Sequence, residues 1–93
     1  MDLPAVYHNM DWQTRRAVRE EYTKRQDGLC SHCGAPLSGG PTDTVQKLSV
    51  NKRRFPANFF KHPVHLHHSH KSGLTIGAVH SQCNAVLWQY HGE

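Results

Sequence analysis

The pair Cys30-x2-Cys33, answered far along the chain by His80-x2-Cys83, constrains the fold more than any other feature of the sequence. Two thiolates on one tight turn can share a tetrahedral cation, and the second pair supplies two further ligands. A Cys3His set suits a closed structural zinc site. The chain has three cysteines, an odd number that cannot all pair as disulfides, and ligation accounts for each of them. A redox Cys-x2-Cys sits at a helix N-terminus after a strand; here the motif follows a helix-forming stretch and precedes Gly34, Pro36, Gly39, Gly40 and Pro41. His32, inside the knuckle, competes with His80 for the fourth position.

A staple is what a chain of 93 residues needs, because a domain of this size buries proportionally little surface. The expectation is one domain spanning 1–93. The opening MDLPAVYHNM has no basic n-region or apolar core, and no apolar run approaches a membrane span, which predicts a soluble, cytoplasmic protein. Lys and Arg outnumber Asp and Glu by 11 to 7, so a polyanionic partner is compatible with the charge without being established by it.

The pattern along the chain predicts an α+β class. Residues 9–27 read as a helix capped by Asn9 or Asp11 and stopped at Asp27-Gly28, with Val18, Tyr22 and Trp12 toward one face. Arg15, Arg16, Arg19, Lys24 and Arg25 lie on the other, balanced in part by Glu20 and Glu21; this face is either solvated or a phosphate contact. Residues 29–41 form the knuckle and a loop. VQKLSV is a candidate strand. Lys52, Arg53, Arg54 and Lys61 interleave with Phe55, Phe59 and Phe60, rings expected in the core ahead of a nucleic-acid surface. Val64–His68 and Leu74–Val79 read as strands around a loop containing Lys71, and Ser81–His91 as a helix with Val86, Leu87 and Tyr90 on its apolar face.

VHLHHSH holds four histidines, His65, His67, His68 and His70, within six positions. An adjacent pair at a strand end points its rings to opposite sides. One ring can then ligate a second metal while the other stays neutral, near its ordinary pKa of about 6.5, as a base for water. The alternative is a solvated histidine-rich loop.

The order His67-His68, loop, strand, then Cys83-Asn84 at a helix start resembles the ββα-metal (His-Me finger) core of HNH endonucleases. HLHHSH and GLTIGAVHSQCNA are especially similar to the phage endonuclease VII branch, which joins that core to a zinc site of two Cys-x2-Cys pairs, the second of which is His80-x2-Cys83 here. The resemblance covers Leu29 to about Tyr90 and implies a ββα-metal core over 64–91. It implies a DNA phosphodiester hydrolase with His68 as general base. It also implies one Mg2+ or Mn2+ on His67 and Asn84, and His70 as an additional active-site histidine. The endonuclease VII branch has Asp where this chain has His67, and the middle Asn of the family motif has no counterpart between Ser69 and Gln82. Candidate DNA contacts are Arg15, Arg16, Arg19, Lys52, Arg53, Arg54, Lys61 and Lys71. One such site cuts one strand, so a monomer would nick and a homodimer could cut both. A Holliday-junction resolving enzyme and a non-catalytic zinc-ribbon nucleic-acid-binding module are the competing functions.

Overall fold

Asp11 starts the first helix: its carboxylate accepts the Thr14 N–H at 2.8 Å, satisfying one of the donors that a helix N-terminus leaves open. Helix α1 runs Trp12–Arg25 in the computed structural model, which describes residues 1–92. Asn9, the other candidate cap, lies in a short 3-10 turn, Tyr7–Asn9. At the exit Asp27 and Gly28 take positive φ, and the Gly28 N–H donates to Thr23 O at 2.8 Å. Val18 is buried, whereas Trp12, expected toward the same face, is 68% exposed.

The candidate strand in VQKLSV is a helical turn, α2 (Asp43–Gln46), with Thr42 as its N-cap residue and Asp43 in its first turn. An acidic residue there favours a helix start, and one apolar side chain, Val45, suffices to tie so short an element to the core. Strands β1 (Val64–His68) and β2 (Thr75–His80) pair antiparallel, and α3 (Ser81–His91) follows β2 at once. The bounds of β1 and α3 are those expected from the sequence; β2 begins and ends one residue later than the expected Leu74–Val79. His67 faces Gly77 and His68 faces Thr75, so the register slips at a bulge that leaves Ile76 without a partner.

The N-terminal segment closes over the hairpin. Val6 bridges Leu74, Thr75 N–H donates to Ala5 O at 2.9 Å, and Tyr7 N–H donates to Gly73 O at 2.9 Å. The buried core gathers Cys30, Leu37, Val45, Ala78, Val79, Cys83 and Val86, with Tyr22, Val64 and Leu87 packed against it. Phe55, Phe59 and Phe60, expected in the core, are half-buried and stand apart from it. They pack on one another, with Phe55 and Phe59 centroids 4.7 Å apart, and against Trp88 and His65. The reason is local: three rings within six positions of an irregular segment meet each other before they can reach a core already filled by small residues. Tyr90, placed on the apolar face of α3 by its spacing, is 48% exposed and donates its hydroxyl to Ser49 O.

Gln26 joins α1 to the hairpin. Its Oε1 accepts the Ala78 N–H at 2.9 Å, while Nε2 donates to Ala78 O at 2.9 Å and to Leu29 O at 2.7 Å. This amide engages both backbone groups of Ala78 as a neighbouring strand would. Gly77 is what lets it approach, since a Cβ there would stand 2.8 Å from Gln26 Oε1 and 2.8 Å from Ser31 Oγ. Gly77→Ala is therefore expected to cost about 1–3 kcal/mol, the usual penalty for overpacking, read as a lowered midpoint in thermal unfolding. An unchanged midpoint would show that the clamp yields freely.

Candidate metal centre and adjoining cleft

Knuckle, strand end and helix start converge on one point. Cys30 and Cys33 come from the turn after α1, His80 ends β2 and serves as the N-cap residue of α3, and Cys83 lies in the first turn of that helix. Gly34, at φ 80°, lets the knuckle fold back so that its N–H donates to Cys30 O at 3.0 Å, while Cys30 N–H donates to Ala35 O at 2.9 Å. The ligand atoms of Cys30, Cys33, His80 and Cys83 all lie within 4.8 Å of one another and could hold a metal ion such as zinc. His80 Nδ1 stands 3.5 Å from Cys33 Sγ and 3.6 Å from Cys83 Sγ. A tetrahedral zinc with ordinary bond lengths sets S and N about 3.6 Å apart, so the pocket has the right size. His80 Nε2 is 2.9 Å from Pro36 O; because a carbonyl only accepts, Nε2 carries the proton and Nδ1 presents its lone pair to the cluster. His32, the competitor in the sequence, is exposed and outside the group.

The cluster concentrates negative charge. Cys30 is held far below the ordinary thiol range, at about 3, first by hydrogen bonding with Cys83 and further by backbone N–H groups of Cys33, His80 and His32, against the opposing effect of burial. Cys83 is pushed up by the same contact and by burial. A thiolate beside two further sulfurs in a buried pocket is the environment that a bound cation neutralises.

Across β1 and α3 from this centre lies a cleft of about 790 Å³, lined on one side by Arg15, Arg16 and Arg19 and on the other by His65, His68, His70, Asn84 and Trp88. Tyr7 and Trp12 also line it. His65 Nε2 donates to Phe59 O at 2.8 Å, which leaves Nδ1 to accept the Asn84 amide N–H at 3.1 Å. Burial pushes the His65 pKa down, so the ring is neutral in this arrangement. Trp88 donates its indole N–H to His70 Nε2 at 3.2 Å. His67 is 5% exposed and is not among the residues lining the cleft. The resemblance pairs His67 with Asn84; the structure sets His65 beside Asn84 instead, and His67 is buried against Gly77 of β2 in the register.

His68 is oriented by Tyr7, whose ring stacks on it at 3.8 Å with 5° between the planes. Arg15 holds Tyr7 in turn, 4.0 Å from the ring centroid and donating to Tyr7 O through Nε and Nη2 at 3.3 and 3.2 Å. Nothing in the sequence signals this contact, which joins residues far apart in the chain. Burial lowers the His68 pKa to about 4, with His70, His8, His67 and Arg15 adding repulsion. At neutral pH the ring is uncharged and can accept a proton.

The basic residues divide. Arg15, Arg16 and Arg19 face the cleft, Arg16 in an exposed pair with Glu20 at 3.2 Å, a contact of small energetic weight. Lys52, Arg53, Arg54, Lys61 and Lys71 are exposed and not among its lining residues. Among the described residues no helix is long and apolar enough to cross a membrane. Comparison with protein-family models, curated proteins and solved structures finds no match to this chain.

Two outcomes are expected. The purified chain should carry one zinc ion, and His80→Ala or Cys83→Ala should lose both the ion and most of the helical circular dichroism; a metal-free chain with unaltered helicity would remove the ion from the fold. Second, the His68 ring should titrate below the ordinary histidine range in an NMR pH series, and Tyr7→Ala should move it upward by admitting water. Because the folded state binds fewer protons at His68 than the unfolded state between pH about 4 and about 6.5, its contribution to stability falls as pH falls through that window. An ordinary midpoint unaffected by Tyr7→Ala would refute the stacking account.

Proposed function

We propose that the chain is a metal-dependent endonuclease that hydrolyses DNA phosphodiester bonds in the cleft between α1 and the β1, α3 pair. The observation that carries this reading is the convergence there of four histidines, His62, His65, His68 and His70, and Asn84 with three arginines. Phosphodiester hydrolysis requires a base for water, a positive surface for the phosphate, and stabilisation of the leaving oxygen. Neutral His68 is suited to the first. Arg19 and Arg16 are suited to the second, and an approaching phosphate would raise the His68 pKa from its low value toward the working range. The order of β1, β2 and α3 is the order that the ββα-metal resemblance requires.

A divalent ion, when bound, would supply Lewis-acid stabilisation of phosphate and leaving group. We assign it to His65 Nδ1 and Asn84 rather than to the His67 and Asn84 pair that the resemblance implies. His65 Nδ1 and Asn84 Nδ2 stand 3.1 Å apart, and a half-turn of the Asn84 amide puts its oxygen in place of that nitrogen, near the roughly 3 Å edge of an octahedral site. The donor set is neutral. Imidazole and amide without a carboxylate fit Mn2+ or a later transition metal better than Mg2+. The separate cysteine-rich centre would hold zinc and take no part in the reaction.

Nicking of supercoiled plasmid tests the reading. Cleavage is expected with Mn2+ and less with Mg2+, falling by at least about 100-fold in His68→Ala, the scale on which a general base acts. His65→Ala is expected to weaken the metal dependence more than His67→Ala. Tight plasmid binding without cleavage by either the parent chain or His68→Ala would favour the non-catalytic zinc-ribbon module.

A further inference from the structure

Both tryptophans of the chain line the same cleft, and both are unusually exposed: Trp12 at 68% and Trp88 at 47%. Exposed rings gathered in one groove, unlike apolar residues scattered singly, mark a binding site. Neither position is required by the core, whose members come from other residues.

Trp88 is held in place. Its indole N–H donates to His70 Nε2 at 3.2 Å, and Phe55 packs edge-on beneath it with centroids 6.2 Å apart. A ring fixed by a hydrogen bond on its edge and a neighbour against one side gives up little freedom when a flat group stacks on it. Trp12 stands in the first turn of α1, one helical turn from Arg15 and Arg16. The cleft thus presents two indoles together with three guanidinium groups and one carboxylate, that of Glu20.

From this juxtaposition we propose that the cleft takes unpaired DNA, with bases stacking on Trp88 and Trp12 while the phosphates follow Arg16 and Arg19. The inference rests on the reading of the cleft as a nucleic-acid site, and it narrows the substrate class. In an intact duplex the faces of the bases are covered by their neighbours, so stacking platforms of this kind are useful only to a strand that is already open, at a flap, bubble, branch or single-stranded end. Arginine contacts to phosphate supply affinity in any sequence, and indole stacking is equally tolerant, so binding is expected to be selective for structure and weakly selective for sequence.

Because the chain has two tryptophans and both lie in the cleft, fluorescence excited at wavelengths that tyrosine does not absorb reads the platforms alone. The intact chain is titrated, without added divalent ions, with a twelve-residue oligodeoxythymidine, a duplex of the same length and an oligouridine. The expected result is quenching by oligodeoxythymidine with at least tenfold tighter binding than the duplex. Trp88→Ala should weaken that binding at least about fivefold, with Trp88→Phe restoring most of it. Trp12→Ala changes an exposed side chain and serves as a second variant that leaves the core alone. Equal affinity for duplex, or Trp88→Ala and Trp12→Ala both binding like the parent, would overturn the proposal, and tighter binding of oligouridine would overturn the assignment to DNA. The two readings fail separately: nicking of relaxed linear duplex as fast as of supercoiled plasmid, whose strands open locally, would remove the stacking proposal and leave the nuclease, whereas quenching and binding without any cleavage would do the reverse.

Discussion

The convergence of Cys30, Cys33, His80 and Cys83 is the constraint on which the rest of this molecule depends. A core made of Val18, Leu37, Val45, Leu66, Ala78, Val79, Ala85 and Val86 with two cysteines is small even for a chain of this length. The four ligand atoms bring together a knuckle, a strand end and a helix start around this small core. Ligation by zinc would convert a cluster of competing thiols into a crosslink between distant parts of the chain, and metal binding would then be folding free energy. Pro36 completes the design by fixing the His80 tautomer through its carbonyl.

The same constraint builds the cleft. Consecutive residues on a helix diverge by about 100°, so the turn that points Cys83 into the buried cluster turns Asn84 out toward β1. Anchoring the start of α3 therefore sets the separation of Asn84 from His65. One turn further on, Trp88 reaches His70 in the β1–β2 connection. On the opposite wall, Thr75 takes the Tyr22 hydroxyl at 2.8 Å and the Ala5 N–H at 2.9 Å, bringing α1 and the N-terminal segment against the hairpin. That places Tyr7 over His68 and Arg15 over Tyr7. The proposed chemistry thus stands on contacts whose own role is to hold the fold.

Much of this was legible in the sequence where the signal is local. The spacing of cysteines and His80 is a property of two short segments, and β1 and α3 show their periodicity with Ser81 and Gly92 marking the helix ends. What alternation could not reveal was which histidine meets Asn84, because His65 and His67 stand two apart on β1 and only the seating of α3 against the strand decides between them. Tyr7 on His68, Gln26 on Ala78 and Trp12 in the cleft are equally hidden, since each depends on how remote segments meet. The phenylalanines misled for a related reason: composition marks them as apolar without saying which of two hydrophobic clusters they join.

X-ray absorption at the zinc edge tests the central claim most directly, because it reads the ligand set without reference to activity. Three sulfurs at about 2.3 Å and one nitrogen at about 2.0 Å, with no ordered water, are the signature of a closed Cys3His centre. Loss of the nitrogen shell in His80→Cys, with His32 unaltered, would complete the assignment. A centre with two nitrogens, an oxygen in place of a sulfur, or a spectrum that responds to His32→Ala would contradict the account, for the ligand set would then not be Cys30, Cys33, His80 and Cys83.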